Sequence, residues 1–396
     1  MKAVILVAGK STRTYPLTVA KPKALLKIGN KTILSLLLDN FVGIVKEALL
    51  VVNYKKEMIK KEFGNKYKSI KITYVVQKQT KGTANALLCT EPILKGDSFI
   101  MCYGDDLILK KDVEKLYKAG YALLGQEVSD PSQYGIIETN TKNELIKIVE
   151  KPAKPKSSLA NVGCYLLSRD IFPLLKKCKK TKRGEYELTD AVTELTKTKP
   201  LKVVKASNWH PITYPWHLLD ANKELLNSIK FSNEGKIEPS VTIHGQVIIG
   251  KGTVIRSGSY IEGPVIIGEN CKIGPNCYIR PSATFGNNCK VGNAVEIKNS
   301  IVGDNTSIGH LSYIGDSILG SGTNLGAGTI VANLRHDNTN VKSQVKNKII
   351  DTGRRKLGAI IGDNVHTGIH TSIYPGRKMW PNTATIPGEI VKKDLQ

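Results

Sequence analysis

The stretch GHLSYIGDS, residues 309–317, places a histidine and a tyrosine three residues apart in a region where nearly every sixth residue is aliphatic. Because side chains alternate between the two faces of a strand, His310 falls off the column that holds Ile308 and is expected to face outward. An imidazole titrates near neutral pH, so it can accept a proton from an amine that must become a nucleophile. An outward histidine taken alone is more often a plain surface residue, so its role depends on the motifs around it.

A second group of chemistry-bearing residues lies near the start of the chain, in VAGKSTRTYPLTVAKPK. Glycine and small residues at a strand-to-helix turn let backbone N–H groups approach phosphate oxygens, and Arg13 and Lys23 add positive charge. Further along, YGDD places Asp105 directly after an apolar run, and ligands of open α/β sheets bind beyond the carboxyl ends of strands. Asp105 therefore suits a Mg²⁺ ion shared with substrate phosphates, although a solvated acidic turn has the same sequence.

The elements that would position these first residues alternate between short apolar runs and segments of helical spacing, from KAVILVAG to WHLLDANKELLNSIK. This βαβ pattern is typical of a mostly parallel sheet covered by helices. Four later runs, YALLGQEVS, YGIIETN, ELIKIVEKP and NVGCYLLS, follow one another without helices and predict an added antiparallel section. We therefore predict a Rossmann-like α/β domain over residues 1–230.

From Ile243 the spacing changes to a period of six. Ten successive positions up to Ile297 are aliphatic or aromatic, and the residue four places after each is nearly always small. This hexapeptide signature predicts a parallel β-helix, which we place at residues 231–396. Three cysteines fall in the column of small residues and are predicted to be core residues: Cys271, Cys277 and Cys289.

The repeat slips by one residue at Val302 and again at Leu319, and it is absent between about Asn333 and Lys356. The residues between, NLRHDNTNVKSQVKNKIIDTGRRK, are polar and basic. A long irregular excursion from a solenoid is usually functional or disordered. Four of its residues could hold the phosphates of CoA, although a solvated basic loop has the same composition: Arg335, Lys342, Arg354 and Arg355.

The composition narrows the classes of partner. The 396 residues carry a net charge of +24, an excess that favours anions such as nucleotides and sugar phosphates. The lysines are scattered through candidate helices without interleaved aromatic residues, so we expect no nucleic-acid partner. No apolar run approaches the ~20 residues that span a bilayer, and MKAVILVAG lacks the features of a secretory signal. We expect a cytoplasmic protein with no membrane partner, and the absence of C-x-x-C argues against a zinc or thiol redox site.

The loop after the first strand resembles the signature of sugar-1-phosphate nucleotidylyltransferases, L-A-A-G-x-G-T-R-x-x-P-L-T with a following P-K. Val7 and Ser11 depart from it, and ten residues match: Leu6, Ala8, Gly9, Thr12, Arg13, Pro16, Leu17, Thr18, Pro22 and Lys23. The resemblance implies Mg²⁺-dependent nucleotidyl transfer from an NTP to a sugar 1-phosphate. It also implies that Arg13 and Lys23 are catalytic, that Gly9 contacts substrate and that Asp105 is a metal ligand.

Further segments resemble the same family. QKQTKGTANAL is similar to its base-binding segment, which implies contacts to the nucleobase from Gln77, Gly82 and Thr83. The segments YGII, EKP, NVG and GEYELTDA match its sugar and phosphate contacts, which implies these roles for Gly135, Glu150, Lys151, Asn161 and Glu185.

One position departs from the family. Its members have W-x-D near the end of this domain, where the aspartate completes the metal site. This chain reads NWHPITYPWHLLDANK, so that Trp209 aligns and Pro211 occupies the place of the carboxylate. Three alternatives stay open: Mg²⁺ is held by Asp105 with phosphates and water, Asp106 substitutes, or this half of the protein turns over poorly.

In the second half, YIRPSA, VGNAVEIK, GHLSYIGD and TNLGAGTIVAN look like the acetyltransferase half of bifunctional N-acetylglucosamine-1-phosphate uridylyltransferases. Archaeal relatives join the same two domains in the same order. The resemblance implies a left-handed β-helix and a homotrimer with acetyl-transfer sites between subunits. It implies that His310 is the general base toward acetyl-CoA and that Arg280 and Lys298 hold the sugar phosphate. It also implies that Tyr313 and Asn324 contact the sugar and that Asn333 binds substrate.

We therefore predict a bifunctional enzyme of nucleotide-sugar biosynthesis. It would acetylate glucosamine- or galactosamine-1-phosphate with acetyl-CoA, and transfer a nucleotidyl group from UTP or dTTP to a sugar 1-phosphate. One alternative is a non-catalytic regulatory subunit of the same architecture, against which Lys23, Asp105 and His310 argue. Another is a pyrophosphorylase without acetyltransferase activity, against which His310 argues together with Arg280 and Lys298.

Overall fold

The computed structural model describes residues 1–96, 98–181 and 184–396. The chain forms two compact units. The first comprises Met1–Lys10, Pro22–Leu25 and Ile33–Pro211, and the second comprises Ser11–Lys21, Leu26–Thr32 and Ile212–Gln396. The domain boundary placed after residue 230 from the sequence stays a prediction.

The first unit is built on a twisted mixed sheet. Its strands are β1 (Lys2–Leu6), β2 (Glu47–Val52), β3 (Lys66–Tyr67), β4 (Ile70–Val76), β5 (Ser98–Tyr103), β6 (Ala122–Glu127), β7 (Gly135–Thr139), β8 (Leu145–Glu150), β9 (Leu159–Ser168) and β10 (Lys202–Lys205). The strand order is β8-β7-β9-β5-β1-β2-β4-β3, and β6 pairs with both β9 and β10. Strand β1 pairs in parallel with both β2 and β5, and β2 with β4, which is the predicted parallel core.

The predicted antiparallel section is also present. Strand β9 runs antiparallel to β5, β6 and β7, and β7 runs antiparallel to β8. A short ladder separate from the sheet pairs Asp106–Ile108 with Trp209–Pro211. These pairings agree with the Rossmann-like α/β prediction for this part of the chain.

Helices cover the sheet because their apolar residues recur at helical spacing and face it. The helices of the first unit are α1 (Ile33–Phe41), α2 (Lys56–Phe63), α3 (Thr83–Leu88), α4 (Lys110–Ala119), α5 (Ile171–Lys177) and α6 (Leu188–Leu195). In α1, for example, Leu34, Leu37, Leu38 and Phe41 are fully buried in one core cluster with strand residues such as Ala3 and Ile5. The second unit contains α7 (His217–Leu226).

The second unit contains the predicted left-handed parallel β-helix, whose short strands stack into three sheets. We call these sheets face 1, face 2 and face 3. Face 1 contains Ser232–Asn233, Val247–Ile249, Val265–Ile267, Thr284–Phe285, Ile301–Val302, Ile318–Leu319, Ile360–Ile361 and Lys378–Met379. Face 2 contains Lys236–Ile237, Val254–Ile255, Lys272–Ile273, Lys290–Val291, Ser307–Ile308 and Asn324–Leu325. Face 3 contains Thr242–His244, Tyr260–Glu262, Tyr278–Ile279, Glu296–Lys298, Tyr313–Gly315, Ile330–Val331, Ser372–Ile373 and Ile390–Val391.

The interior of the β-helix is filled by the two predicted columns. The large residues from Ile249 to Ile297 are at most 3% exposed, and Ile243 packs against them at the open end. The three cysteines of the small column are 0–1% exposed. Burial of two residues per six-residue repeat supplies the hydrophobic stabilisation of the solenoid, which leaves only the outward positions free for chemistry.

The one-residue slips of the repeat shorten particular coils. Lys272 pairs with Lys290, a step of 18 residues, but Lys290 pairs with Ser307, a step of 17. The excursion then separates neighbouring strands of face 1, so that Ile318 pairs with Ile360. The excursion is more regular than expected, since Lys342–Val345 and Lys348–Asp351 form an antiparallel hairpin. Two apolar residues within this basic segment anchor the hairpin by packing into the protein: Val341 and Val345 are at most 6% exposed.

No helix within the described ranges has the length and apolar character needed to cross a membrane.

Candidate functional sites

The first site lies where strands of the first unit end. Gly9, Gln77 and Asp105 follow β1, β4 and β5 within a few residues. Since these strands run parallel, their carboxyl ends meet at one edge of the sheet. Strands β2 and β4 lie on one side of β1 and the later strand β5 lies on the other, so the strand order reverses at β1. This point of reversal is where open α/β sheets bind ligands.

Lys23 and Asp105 form an ion pair at this edge, with Nζ and Oδ2 2.8 Å apart. The lysine side chain is 7% exposed, whereas that of Asp105 is 45% exposed. The ammonium group is therefore fixed by burial and pairing, and the carboxylate remains accessible to a ligand. An ion pair of this kind links two residues that the sequence places 82 positions apart.

The predicted base-binding residues are held together by close packing. The Gln77 side chain is buried, and its Nε2 donates to the carbonyl oxygen of Gly82 and to Oδ1 of Asn85, at 3.2 and 2.9 Å. Gly82 has φ +107°, and a Cβ there would collide with the carbonyl oxygen of Tyr186. Thr83 Oγ1 accepts from the backbone N–H of Leu188 at 3.0 Å. Asn85 orients Gln77 and was missed from the sequence, although it lies in the quoted segment.

The predicted sugar-binding residues lie on β7, β8 and β9. Gly135 pairs with Glu150 across the β7–β8 ladder. Asn161 is buried, with Oδ1 accepting from the N–H of Gly163 at 3.0 Å and Nδ2 donating to the Tyr165 hydroxyl at 2.5 Å. Burial raises the pKa of Tyr165, and the charge of Glu150 adds to this effect. Glu150 and Asn161 both lie near the Tyr165 hydroxyl, in one region of the sheet.

The remaining predicted residues of this half are placed as follows. Lys151 follows Glu150 in the left-handed region, at φ +46°, and its N–H donates to the carbonyl of Tyr134. Glu185 is exposed, and its Cβ lies beside Gly82. Arg13 is exposed in the 3-10 turn Thr12–Thr14 of the second unit, so its catalytic role stays a prediction.

Ser11, which replaces a glycine of the family signature, has φ 51°. Serine thus takes the left-handed conformation that glycine adopts without steric cost. Its carbonyl oxygen accepts from the hydroxyls of Thr14 and Thr18, at 2.7 and 2.9 Å, which holds the turn in this conformation.

The acidic residues fit a metal ion only in part. Asp106 Oδ2 accepts from the indole Nε1 of Trp209 at 3.2 Å, and Asp106 pairs in register with Pro211. Proline has no side-chain oxygen to offer, so the ladder puts an inert residue beside the two aspartates. Within residues 1–96, 98–181 and 184–396, no group of three histidine, cysteine, aspartate or glutamate side chains could form a metal cage. The donor set suits a Mg²⁺ ion held by Asp105 and by substrate phosphates.

The second site is a cluster on face 3 around one buried carboxylate, that of Asp316. Its side chain is 4% exposed, and Lys298 Nζ lies 3.5 Å from Oδ2. Asn299 Nδ2 donates to Oδ1 at 2.7 Å, and Asn333 Nδ2 donates to Oδ2 at 2.6 Å. Burying a carboxylate is costly unless it is paired and hydrogen-bonded, and these three donors satisfy that requirement.

The same cluster orients the neighbouring predicted residues. Asn333 Nδ2 also donates to the Tyr313 hydroxyl at 3.1 Å, and burial together with the Asp316 charge raises the pKa of Tyr313. Arg280 forms an ion pair with Glu296 at 2.9 Å. Any side chain at Gly315 would collide with the Tyr313 hydroxyl, so glycine there leaves room for the cluster. Four predicted residues thus come together within one chain: Arg280, Lys298, Tyr313 and Asn333.

Asp316 and Asn299 were missed from the sequence. Both were in quoted segments, but an aspartate or asparagine after a strand of a solenoid reads as a turn residue. Both indeed have turn geometry, with φ 50° and 43°. Only the contacts across coils distinguish them from the other turn residues.

His310 and Asn324 lie elsewhere on the β-helix. His310 is exposed at the corner between Ser307–Ile308 of face 2 and Tyr313–Gly315 of face 3. Asn324 is exposed on face 2, in register with Ser307. Within one chain neither residue lines the cavity that contains Arg280 and Lys298.

That cavity has a volume of about 640 Å³, within the range of small-molecule sites. It is lined by Lys223, Glu262, Arg280, Pro281, Ser282, Lys298, Asn299, Asp316, Arg354, Arg355 and Lys356. Six of these residues are cationic and two are acidic, so the cavity suits an anion.

The four basic residues of the excursion do not form one group. Arg354 and Arg355 line the cavity, whereas Arg335 and Lys342 are not part of its lining. Arg335 instead pairs with Asp337, at 2.5 Å. The predicted contact of these four residues with CoA phosphates stays a prediction, but the cavity separates them into two pairs.

Known proteins resemble this chain over its whole length. Residues 2–228 match the nucleotidyl transferase family, and residues 261–382 match the GMPPB C-terminal domain. The bifunctional protein GlmU of Methanocaldococcus jannaschii is 41% identical over 397 positions, covering 100% of this chain and 96% of the relative. The bifunctional sugar-1-phosphate nucleotidylyltransferase/acetyltransferase of Sulfurisphaera tokodaii is 41% identical over 403 positions, covering 100% and 98%.

Solved structures resemble part of the chain. A UDP-glucose pyrophosphorylase complexed with UDP-glucose aligns with a TM-score of 0.53 at 25% identity, over 57% of this chain and 98% of that chain. The likeness agrees with the fold described for the first unit.

Proposed function

This chain belongs to the family of bifunctional sugar-1-phosphate nucleotidylyltransferase/acetyltransferases, and we propose that its acceptor is glucosamine- or galactosamine-1-phosphate and its nucleotide UTP or dTTP. It is an enzyme of nucleotide-sugar biosynthesis, and family membership favours this over a regulatory subunit or a pyrophosphorylase alone. The observation that carries the proposed acceptor is the cluster of Lys298, Asn333 and Tyr313 at Asp316, with Arg280 lining the same cavity as Lys298. Since NTPs and acetyl-CoA are metabolites of the cytoplasm, we propose that the protein acts there.

In the proposed acetylation, the ammonium group of the amino sugar first loses a proton to His310. The free amine then attacks the thioester carbonyl of acetyl-CoA, the C–S bond breaks, and CoA leaves as the thiol after taking up a proton. Arg280 and Lys298 offset the charge of the sugar phosphate, while Tyr313 and Asn333 hold the sugar. Asp316 keeps Lys298 and Asn333 in position for these contacts.

In the proposed nucleotidyl transfer, an oxygen of the sugar phosphate attacks the α-phosphorus of the NTP, and pyrophosphate leaves with the bonding electrons. Lys23 offsets phosphate charge from a fixed position beside Asp105. Gln77, Gly82 and Thr83 form a surface for the nucleobase that packing keeps rigid. Glu150 and Asn161 lie where the sugar would be held.

Magnesium would be held by Asp105 together with phosphates of the substrates. When bound there, it would offset negative charge on the phosphates during transfer. Asp106 accepts a hydrogen bond from Trp209, and Pro211 offers no ligand atom from its side chain. Both observations support the alternative in which Asp105 is the one carboxylate that binds the metal ion.

We propose a homotrimer in which a neighbouring subunit covers the corner that carries His310. Exposed apolar side chains lie at this corner in three coils, with Leu311 59%, Ile369 51% and Ile386 71% exposed. The coil of Ala327 and Gly328 lies between the first two, and His370 N donates to Ala327 O. Backbone hydrogen bonds join these coils, from Gly328 N to His310 O and from Gly388 N to Ile369 O. Several exposed apolar side chains on one corner are typical of a protein contact, and covering them would enclose His310.

We expect His310→Ala to lower the acetylation rate by about 10²–10⁴-fold, the usual contribution of a general base. Pyrophosphate release from N-acetylated sugar phosphate should stay near the wild-type rate, because that site lies in the other unit. The control is His244→Ala, which removes an exposed histidine whose ring packs at a tilt against Tyr260. Assays of thiol and pyrophosphate release test this, and equal loss of both activities would contradict two separate sites.

We expect nucleotidyl transfer to need more Mg²⁺ than in relatives with the full pair of carboxylates, and Pro211→Asp to increase the rate at low Mg²⁺. A second carboxylate raises both the charge and the number of ligands offered to the ion. Pro211→Asn is the matched control, since it removes the proline without adding charge. Calorimetric Mg²⁺ binding should tighten in the aspartate variant only, and acetylation should not change. Tight activation in the wild type with no effect of Pro211→Asp would place the second ligand elsewhere.

We expect light scattering of the wild-type protein to give the mass of a trimer, and Ile386→Asp to dissociate it and lower acetylation. Ile349→Asp is the control, because Ile349 is similarly exposed, at 65%, but lies in the excursion hairpin. Nucleotidyl transfer should persist in both variants. A fully active wild-type monomer would refute the proposed assembly.

A further inference from the structure

The positively charged cavity of the second unit is lined by two groups of residues. One group belongs to face 3 and its turns and includes Arg280 and Lys298, to which the family resemblance assigns the sugar phosphate. The family resemblance gives the other group no role, although CoA phosphates are the ligand predicted from the sequence for two of its members, Arg354 and Arg355. The other group consists of Lys223 from α7 and the three residues that end the excursion, Arg354, Arg355 and Lys356. We call this second group the basic wall.

Of the cavity's cationic residues, those without a carboxylate partner among the described residues all belong to the basic wall. On face 3, Arg280 pairs with Glu296 and Lys298 with Asp316. In the basic wall, Arg354 pairs with Asp220. Among the described residues, no carboxylate pairs with Lys223, Arg355 or Lys356, and Arg355 donates instead to the neutral Oδ1 of Asn338 at 2.9 Å.

Helix α7 is anchored in a way that fixes Lys223. The neighbouring Asn222 is fully buried, and its Oδ1 accepts from the N–H of Gly29 at 2.9 Å. Its Nδ2 donates to the carbonyl of Ser282 at 3.1 Å, and Ser282 itself lines the cavity. One turn away, Asp220 accepts from Arg354. The lysine is therefore carried on a helix tied to both groups of cavity residues.

Backbone hydrogen bonds fix the end of the excursion to the cluster around Asp316. The N–H of Leu357 donates to the carbonyl of Asn333, and that of Gly358 donates to the carbonyl of Asp316, both at 2.9 Å. Residues 354–356 directly precede these bonds. The basic wall thus adjoins the residues that hold the sugar, and not the exposed corner of His310.

We propose that Lys223, Arg355 and Lys356 bind the phosphate group of the amino-sugar 1-phosphate during acetylation. This inference rests on the proposed function. A phosphate monoester carries about two negative charges and three acceptor oxygens near neutral pH, which several cations can share. The phosphates of acetyl-CoA offer the same chemistry, but the basic wall shares its cavity with Arg280 and Lys298. Helix α7 therefore supplies a substrate contact from outside the repeats.

The test is steady-state acetylation by the full-length protein, with glucosamine-1-phosphate and acetyl-CoA varied separately. Lys223→Ala and Lys356→Ala should each raise the KM for glucosamine-1-phosphate on the order of tenfold, because each removes a charged hydrogen-bond donor. The KM for acetyl-CoA and the rate of nucleotidyl transfer should change less than twofold. The control is Lys272→Ala, which removes an exposed lysine of face 2 that lies outside the cavity.

Acetylation of glucosamine, which lacks the phosphate, should be slow and equal in wild type and variants. A rise in the KM for acetyl-CoA alone would assign the basic wall to CoA and overturn the inference. Behaviour like that of Lys272→Ala would overturn it as well. If the wild-type protein releases no thiol, the proposed function fails separately, and calorimetry of glucosamine-1-phosphate binding then decides: weakened binding in both variants supports the basic wall, and unchanged binding refutes it.

Discussion

The proposed acetyl-acceptor site depends on one buried carboxylate, that of Asp316. A nearly unexposed negative charge is stable only with close donors, and here Lys298, Asn299 and Asn333 supply them. Through Asn333 the same charge fixes the Tyr313 hydroxyl, and through its own backbone carbonyl Asp316 receives the end of the excursion. Residues from different coils and from the excursion therefore meet in one place because a single charge has to be satisfied.

The β-helix makes this arrangement possible because its inward side chains form the core and its outward side chains do not contribute to it. Each strand buries its large and small inward residues, so substitutions at outward positions leave the core intact. Coils of 17 or 18 residues stack outward residues directly above one another, as with Tyr278, Glu296 and Tyr313 on face 3. Such columns build a site from residues far apart in sequence, at little cost to stability.

Periodicity predicted the parts of the fold in which a residue's type depends mainly on whether its side chain faces the core or the solvent. The alternation of strands and helices up to α3, the antiparallel section and the inward columns all follow from local patterns of apolar residues. Family motifs pointed to Lys23 and Asp105, which form an ion pair, and to Lys298 and Asn333, which contact Asp316. Their roles toward substrate stay predictions. The positions of His310 and Asn324 agree with an outward orientation, while their roles stay predictions.

The rest could not be predicted because it depends on contacts between distant segments. Asp316 has the sequence of a turn residue, and only the pairing with Asn333 gives it a role. The excursion was expected to be irregular, because two buried valines do not stand out in a basic segment. In the sequence, Lys223 does not differ from the other lysines of candidate helices. The contact between the neighbouring Asn222 and Ser282 places α7 at the cavity.

A double-mutant cycle on acetylation tests the central role of Asp316 most directly. Asp316→Asn removes the charge at constant size, and Asn333→Ala removes one of its donors, so kcat/KM for glucosamine-1-phosphate is measured in both single variants and the double variant. If the carboxylate acts by holding Asn333, the double variant loses little more than the worse single variant, a coupling of about 1 kcal/mol or more. Losses that simply add would show that the two residues act independently and would contradict the account.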